Sequence, residues 1–311
     1  MKLVQRLAVI LLCFLLSIAI CTTNVTCGSA KVDSNASNTS QNKSDDDMSD
    51  ETSSNDDANG KNDAAADDSK PGSSDDYDAI LKKYVKGDYF QYKALLDNKE
   101  DLQQFERFMK WQAEADVSKM SREEQIAFYI NAYNSCCIKA ILDNYPVHTP
   151  NDIDGFFDKL TFKVGGEMLK IGGSDGDSIE YDRLIANYED MRAHFAVVCA
   201  DRGCLPLKAG AYKGETLDDD LESAAKKFVS DKRHFTVDKE KGEVQISKIF
   251  EWYGPKFLKD PVRKVEGDRP EAYLTHWVDK DIKEMLESGE YKLKIIEWDW
   301  TVNEARYEKN K

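Results

Sequence analysis

Positive charge is what this chain lacks most. Lys and Arg number 43 against 58 Asp and Glu, for a formal charge of −15. A surface of that sign repels phosphate, which disfavours a nucleic-acid binder. After residue 20 no uncharged apolar stretch approaches the roughly 20 residues that a membrane-spanning helix needs. No internal repeat is present, so the folded part is not a repeat array. Histidine is scarce, at four. Cys199, Cys204 and His194 lie near one another but lack familiar zinc-ligand spacing, and no fourth ligand is evident. No metal and no cofactor are therefore expected. Between residues 22 and 76 there is no aromatic side chain at all.

At the N-terminus the features are those of an export signal. Lys2 and Arg6 flank Leu7–Ile20, an uncharged run of 14 residues. That is short for a spanning helix and suits the apolar part of a signal peptide. Residues 1–21 are read as a signal peptide or N-terminal anchor, which makes the protein exported: periplasmic, cell-surface or secreted. Cys21 follows Ile18-Ala19-Ile20, a loose lipoprotein box spoiled by the bulky Ile20. Lipid attachment, plain cleavage and an uncleaved anchor all stay open, and any membrane attachment runs through this end only.

Residues 22–77 are expected to be a disordered acidic linker rich in Ser, Asn and Asp. They carry 13 acidic residues and 4 lysines, net −9. So little apolar surface cannot offset the entropy of ordering. As a coil the segment would span roughly 40 Å. Asn24, Asn35, Asn38 and Asn42 head Asn-x-Ser/Thr sequons. They are glycosylation acceptors in a suitable host, or the chance product of an Asn- and Ser-rich composition.

The globular part is expected over 78–311. Apolar spacing of three and four predicts helices over 79–96 and 100–116. Ser121 with Glu124 forms a capping box that opens a third helix, and Pro146 closes it near Tyr145. Gly165-Gly166 joins strands 160–164 and 167–171 as a hairpin. A short helix over 178–188, a buried strand over 193–200 and a helix from Thr216 to Val229 follow. A second hairpin pairs 234–237 with 243–246. The chain finishes with a helix over 271–287 and a strand over 291–298. The expected class is α+β: a single domain, with helices packed on a small mixed or antiparallel sheet.

Three places carry chemistry. The third helix is apolar on nearly every face, so Asn131 and Asn134 become buried amides that need defined partners. Each either bonds a neighbouring loop backbone or faces a ligand. Cys136 and Cys137, on the same helix, read as buried hydrophobes. The second place is His194-Phe-Ala-Val-Val-Cys199 with Cys204. In a regular strand His194 and Cys199 would face opposite sides, leaving Cys204, beyond a turn at 201–203, as the thiol within reach of the imidazole. The third is Asp177-Ser-Ile-Glu180. There Asp177 and Glu180 cap a helix, or Glu180 turns inward to orient His194. His148, His234 and His276 have no convincing local partners.

Several motifs in one order resemble the domain-of-unknown-function family 547. They are Ala127-Phe-Tyr-Ile-Asn131-Ala-Tyr-Asn134, Ser178-Ile-Glu180, and His194 to Cys199 through Cys204-Leu-Pro-Leu207. Ile249-Phe-Glu-Trp252-Tyr253 continues the likeness, which covers roughly 120–260. The family name supplies no reaction. Its pattern does emphasise the positions of Asn131, Asn134, Glu180, His194, Cys199 and Cys204. Similar domains in intracellular proteins imply a chemical role for at least one thiol, since a stable disulfide is disfavoured there.

Two readings follow. In one the protein is a thiol-dependent hydrolase or acyltransferase of unknown substrate. Cys204 is the nucleophile with a lowered pKa, His194 the base, Glu180 the orienting carboxylate, and Asn131 or a loop amide the oxyanion donor. Asn134 and Cys199 complete the ligand-binding set, for a small-molecule or peptide ligand. In the other it is a non-catalytic, surface-tethered binding module braced by a Cys199–Cys204 disulfide. A redox pair formed by the same two cysteines is the third and weakest reading, because their spacing is not Cys-x-x-Cys.

Overall fold

The computed structural model describes residues 71–173 and 176–307. The expected signal segment and residues 22–70 of the expected linker lie outside them. Helix α1 (Ser74–Tyr84) begins within the stretch expected to be linker. The reason is local: the Ser73 backbone N–H donates to Asp76 Oδ2 at 2.9 Å, a capping arrangement at the helix entrance. Tyr77, Ile80, Leu81 and Tyr84 make its buried face, and Tyr77 stacks on Phe108 with ring centroids 4.5 Å apart.

The helix expected over 79–96 is broken in the middle. Gly87 adopts φ +61°, and the chain reverses through a short hairpin, β1 (Val85–Lys86) and β2 (Tyr89–Phe90). Helices α2 (Tyr92–Asp97) and α3 (Lys99–Glu114) follow. Asn98 caps α3 by accepting the Asp101 N–H at 3.1 Å.

Helix α4 (Arg122–Asp143) is the centre of the fold, with its expected capping box formed in both directions. Glu124 N–H donates to Ser121 Oγ at 3.2 Å, and Ser121 N–H donates to Glu124 Oε2 at 2.7 Å. From Ile126 to Leu142 only Lys139 escapes burial. A helix with no solvent face must be covered all round, and the later elements supply that cover.

Strands β3 (Thr161–Val164) and β4 (Glu167–Lys170) form the hairpin expected around Gly165-Gly166. Both glycines have positive φ, +58° and +86°, as the tightest hairpin turns require. The expected helix over 178–188 is a π-helical turn, Ile179–Ile185, running into one turn of α-helix, α5 (Ala186–Tyr188). Helix α6 (Leu217–Ser230) packs on α4.

The third sheet is mixed. Strand β5 (Phe235–Asp238) pairs antiparallel with β6 (Glu243–Ser247), which pairs parallel with β7 (Lys292–Ile296). Helix α7 (Ile249–Phe257) leaves β6 directly. The helix expected over 271–287 is two pieces, a 3-10 stretch Pro270–His276 and helix α8 (Lys280–Ser288). The class is the expected α+β, one domain with small mixed and antiparallel sheets. No helix among the described residues is long and apolar enough to cross a membrane.

The expected strand over 193–200 does not form. Met191–Phe195 is a 3-10 turn opened by Asp190, whose Oδ1 accepts the Arg192 N–H at 3.1 Å. Beyond it the backbone is irregular, and Ala200 sits at φ +63°. The Ala196 carbonyl and the Val198 N–H are taken by a side chain of α4 rather than by a neighbouring strand.

Candidate active site

That side chain is Asn134. Its Nδ2 donates to the Ala196 carbonyl at 3.1 Å, and its Oδ1 accepts the Val198 N–H at 2.7 Å. Asn131, one turn earlier, does the same for Tyr212: Nδ2 to the carbonyl at 2.8 Å, and the Tyr212 N–H to Oδ1 at 3.0 Å. A carboxamide has the donor and acceptor of a peptide group, so each Asn replaces a missing strand neighbour. Both were expected to have defined partners, and both do. Neither lines the cleft described below, and each bonds a loop backbone through one N–H and its carbonyl oxygen. Asn131 borders a second cleft of ≈ 280 Å³ on another side of α4.

Without strand geometry, the parity argument that separated His194 from Cys199 no longer applies. Glu180, His194, Cys199 and Cys204 all line one open cleft of ≈ 230 Å³. Glu180 reaches it because the capping duty expected of Asp177 and Glu180 falls elsewhere. Asp182 N–H donates to Ser178 Oγ at 3.2 Å, and the Asp182 carboxylate accepts the Ser178 N–H at 2.9 Å. Asp177 instead pairs with Lys170 at 3.1 Å. The wide π turn then carries Glu180 inward, where it is buried. Such turns recur at functional sites.

Glu180 Oε1 lies 3.7 Å from His194 Nδ1, within ion-pair reach but longer than a hydrogen bond. His194 is 3% exposed. Its ring is held against Tyr253 and Phe257, with centroids 4.1 and 5.4 Å away. The other ring nitrogen, Nε2, is buried and has no hydrogen-bond partner. The Tyr253 hydroxyl bonds Glu180, and burial with that carboxylate nearby drives its phenol far above the ordinary range. An imidazole facing a carboxylate on one nitrogen, with the other free, has the orientation of a general base.

The two sulfurs sit together, Cys199 Sγ 3.0 Å from Cys204 Sγ, and both cysteines are free. Asp201 lies between them. Its Oδ2 accepts the Cys199 thiol at 3.0 Å and the Trp298 indole N–H at 3.0 Å, and its Oδ1 accepts the Cys204 N–H at 3.1 Å. Burial lifts the Asp201 carboxyl to about 6 against those bonds. The lowered Cys204 pKa that was expected is not found. Burial and the Asp201 carboxylate push this thiol up. Neither sulfur heads a helix, so no macrodipole pulls it down. Two contacts of Cys204 act the other way. Its sulfur accepts the Cys199 N–H at 3.3 Å, and the Cys199 thiol also helps to lower it. Cys199 is pushed up by the same contact.

Residues 117–229 match the model of the family described as Protein of unknown function, DUF547. No curated protein and no solved structure matches the chain. The DUF547 match holds every residue singled out from the sequence for the site, but five of the fourteen residues lining the cleft lie beyond it. Ile249, Trp252 and Tyr253 come from α7, at offsets of three and four that put them on one face. Trp298 and Trp300 come from the chain's last described stretch. Trp252, Trp298 and Trp300 form one aromatic wall, with centroids 4.9 to 6.0 Å apart.

Trp298, Trp300 and Asp201 were missed from sequence. Asp201 was legible only as a turn residue, although Asp between two cysteines was a usable signal. The tryptophans read as a strand end. What holds them here is backbone pairing between the 200–203 turn and the C-terminal stretch. Arg202 N–H donates to Thr301, Gly203 N–H to Asp299 and Asn303 N–H to Ala200, at 2.8–3.0 Å. Gly203 permits the contact: a Cβ there would lie 2.3 Å from the Trp298 indole. His148, His234 and His276 do not line the cleft, and Cys136 and Cys137 are fully buried in α4, as expected.

Proposed function

We propose that the protein is a thiol-dependent hydrolase or acyltransferase acting outside the cytoplasm on a small-molecule or peptide acyl substrate. One observation carries the reading: Glu180, His194 and Cys204, from three separate stretches, line one open cleft. The raised thiol means that Cys204 rests protonated. His194 Nε2 then takes the proton as the sulfur attacks the acyl carbon, and returns it to the leaving group. Glu180 faces Nδ1 and favours the imidazolium formed in between. The aromatic wall of Trp252, Trp298 and Trp300 excludes water from one side and suits a flat or apolar substrate group. Export rests on the 7–20 apolar run.

The test is acyl-enzyme trapping. The full chain, reduced, is mixed with an activated acyl ester and digested for mass analysis. The expected result is an acyl group on Cys204, lost in Cys204→Ser and formed at least about tenfold more slowly in His194→Gln. Acylation that misses Cys204, or is indifferent to His194, overturns the reading.

A further inference from the structure

The sequence spacing argued against zinc by counting His194 as the third donor. The fold supplies a different third donor. Cys199 Sγ, Cys204 Sγ and an Asp201 carboxylate oxygen all lie within 4.8 Å of one another, and all three residues are buried. Among the described residues, no other such group of three or more Cys, His, Asp or Glu side chains is found.

We infer that Cys199, Asp201 and Cys204 form a binding site for a soft or borderline divalent cation of the zinc class, through two sulfurs and one carboxylate oxygen. The chemistry of the donor set fits such an ion. Thiolate sulfur selects soft and borderline metals, and zinc accepts S and O donors in a tetrahedron. Two sulfurs each about 2.3 Å from a tetrahedral ion stand about 3.8 Å apart. The present 3.0 Å separation therefore needs to open by less than one ångström.

The loop also holds two of the three ligands through hydrogen bonds, one of them from outside the cluster. The Cys199 N–H points at Cys204 Sγ at 3.3 Å, the Trp298 indole N–H at Asp201 Oδ2, and the Cys204 N–H at Asp201 Oδ1. Donors placed on ligand atoms are the outer shell that a metal site requires. Three protein donors leave a fourth position. Cys199 and Cys204 line the cleft together with His194, whose Nε2 is buried and has no hydrogen-bond partner. A site with an open position exchanges its ion and can bind an external ligand, unlike a closed structural site.

Binding is balanced by proton release. The ion displaces one proton from each thiol, and the Asp201 carboxylate binds as the anion. The inference goes beyond the acyl-transfer reading. A bound ion occupies the Cys204 lone pair and silences it as a nucleophile.

The test uses the full chain, reduced and handled without oxygen, titrated with Co²⁺ alone. The expected result is a sulfur-to-cobalt absorption band that saturates at one equivalent and is removed by Zn²⁺. In Cys199→Ser and Cys204→Ser the band is lost, and in Asp201→Asn affinity falls at least about tenfold. Wild-type protein alone gives a second readout that does not depend on the variants folding. One equivalent of Zn²⁺ protects Cys199 and Cys204 from alkylation, and a chelator reverses this. Absence of the band, or protection that falls on other cysteines instead, overturns the inference. Metal binding without Cys204 acylation sinks the enzyme reading alone, and acylation without metal binding sinks this inference alone.

Discussion

Trp298 donates its indole N–H to Asp201 at 3.0 Å across 97 residues of sequence. That bond joins the last described stretch of the chain to the turn between the two cysteines, and it closes the cleft on one side. Asp201 is 1% exposed, and only a few donors offset the loss of its water.

Trp298→Phe keeps much of the ring and removes the donor. The expected cost is about 1–2 kcal/mol at pH 8, where Asp201 is ionised and its buried charge loses a partner. At pH 4, below the shifted value of about 6, the cost should be smaller. Urea denaturation at the two pH values checks this. An equal cost at both assigns the effect to packing and not to the bond.

Two buried groups impose opposite pH dependences. His234 is fully buried, neither ring nitrogen has a hydrogen-bond partner, and desolvation lowers it to about 4 from 6.5. The unfolded state therefore takes up its proton first. Stability falls as pH drops from about 6.5 to 4, by about 3 kcal/mol. Asp201 is raised to about 6 from 3.8. Its contribution is full below about 4 and is lost as pH rises through 6, again by about 3 kcal/mol. In the wild-type chain the two largely cancel. His234→Phe should leave stability that falls with rising pH between 4 and 6.5, and Asp201→Asn stability that rises. Melting curves of both variants across that range would show divergent slopes, and parallel ones would refute the account.

Asn134→Ala strands the Val198 N–H and the Ala196 carbonyl inside the protein. Its cost should be about 2–4 kcal/mol. Asn131→Ala should cost a similar amount by freeing Tyr212. The two differ in what they disturb. Asn134 holds the segment between His194 and Cys199, so its loss should change the alkylation rate of the cleft thiols. Asn131 holds Tyr212 beside a different cleft, so its loss should leave that rate within about twofold. Denaturant melts with timed alkylation separate the pair.

Gly203→Ala places a methyl group where the Trp298 indole now lies. The indole must move and release Asp201. Expected results are destabilisation by about 2 kcal/mol and a shift of tryptophan fluorescence as Trp298 leaves the wall of Trp252 and Trp300. An unchanged spectrum would show that the close approach is not needed to seat the ring.

Local signals carried the parts of this fold that depend on nearest neighbours. The capping box at Ser121 and Glu124, the Gly165-Gly166 turn and the apolar circumference of α4 are encoded within a few residues, and each appears as expected. Burial of Asn131 and Asn134 followed from the same circumference. The motif order also identified the DUF547 stretch. Signals failed where a distant group overrides local preference. Ala193–Ala200 has a strand's composition, yet Asn134 takes its hydrogen-bonding groups. Glu180 sits where a cap belongs, yet Asp182 and Ser178 cap each other and release it. The sequence by itself singled out Glu180, His194, Cys199 and Cys204. Only the tertiary structure decided how they meet, and it added Asp201, Trp298 and Trp300. Side-chain clamps and long-range backbone pairing leave no periodic trace in the chain, so no pattern of spacing could have announced them.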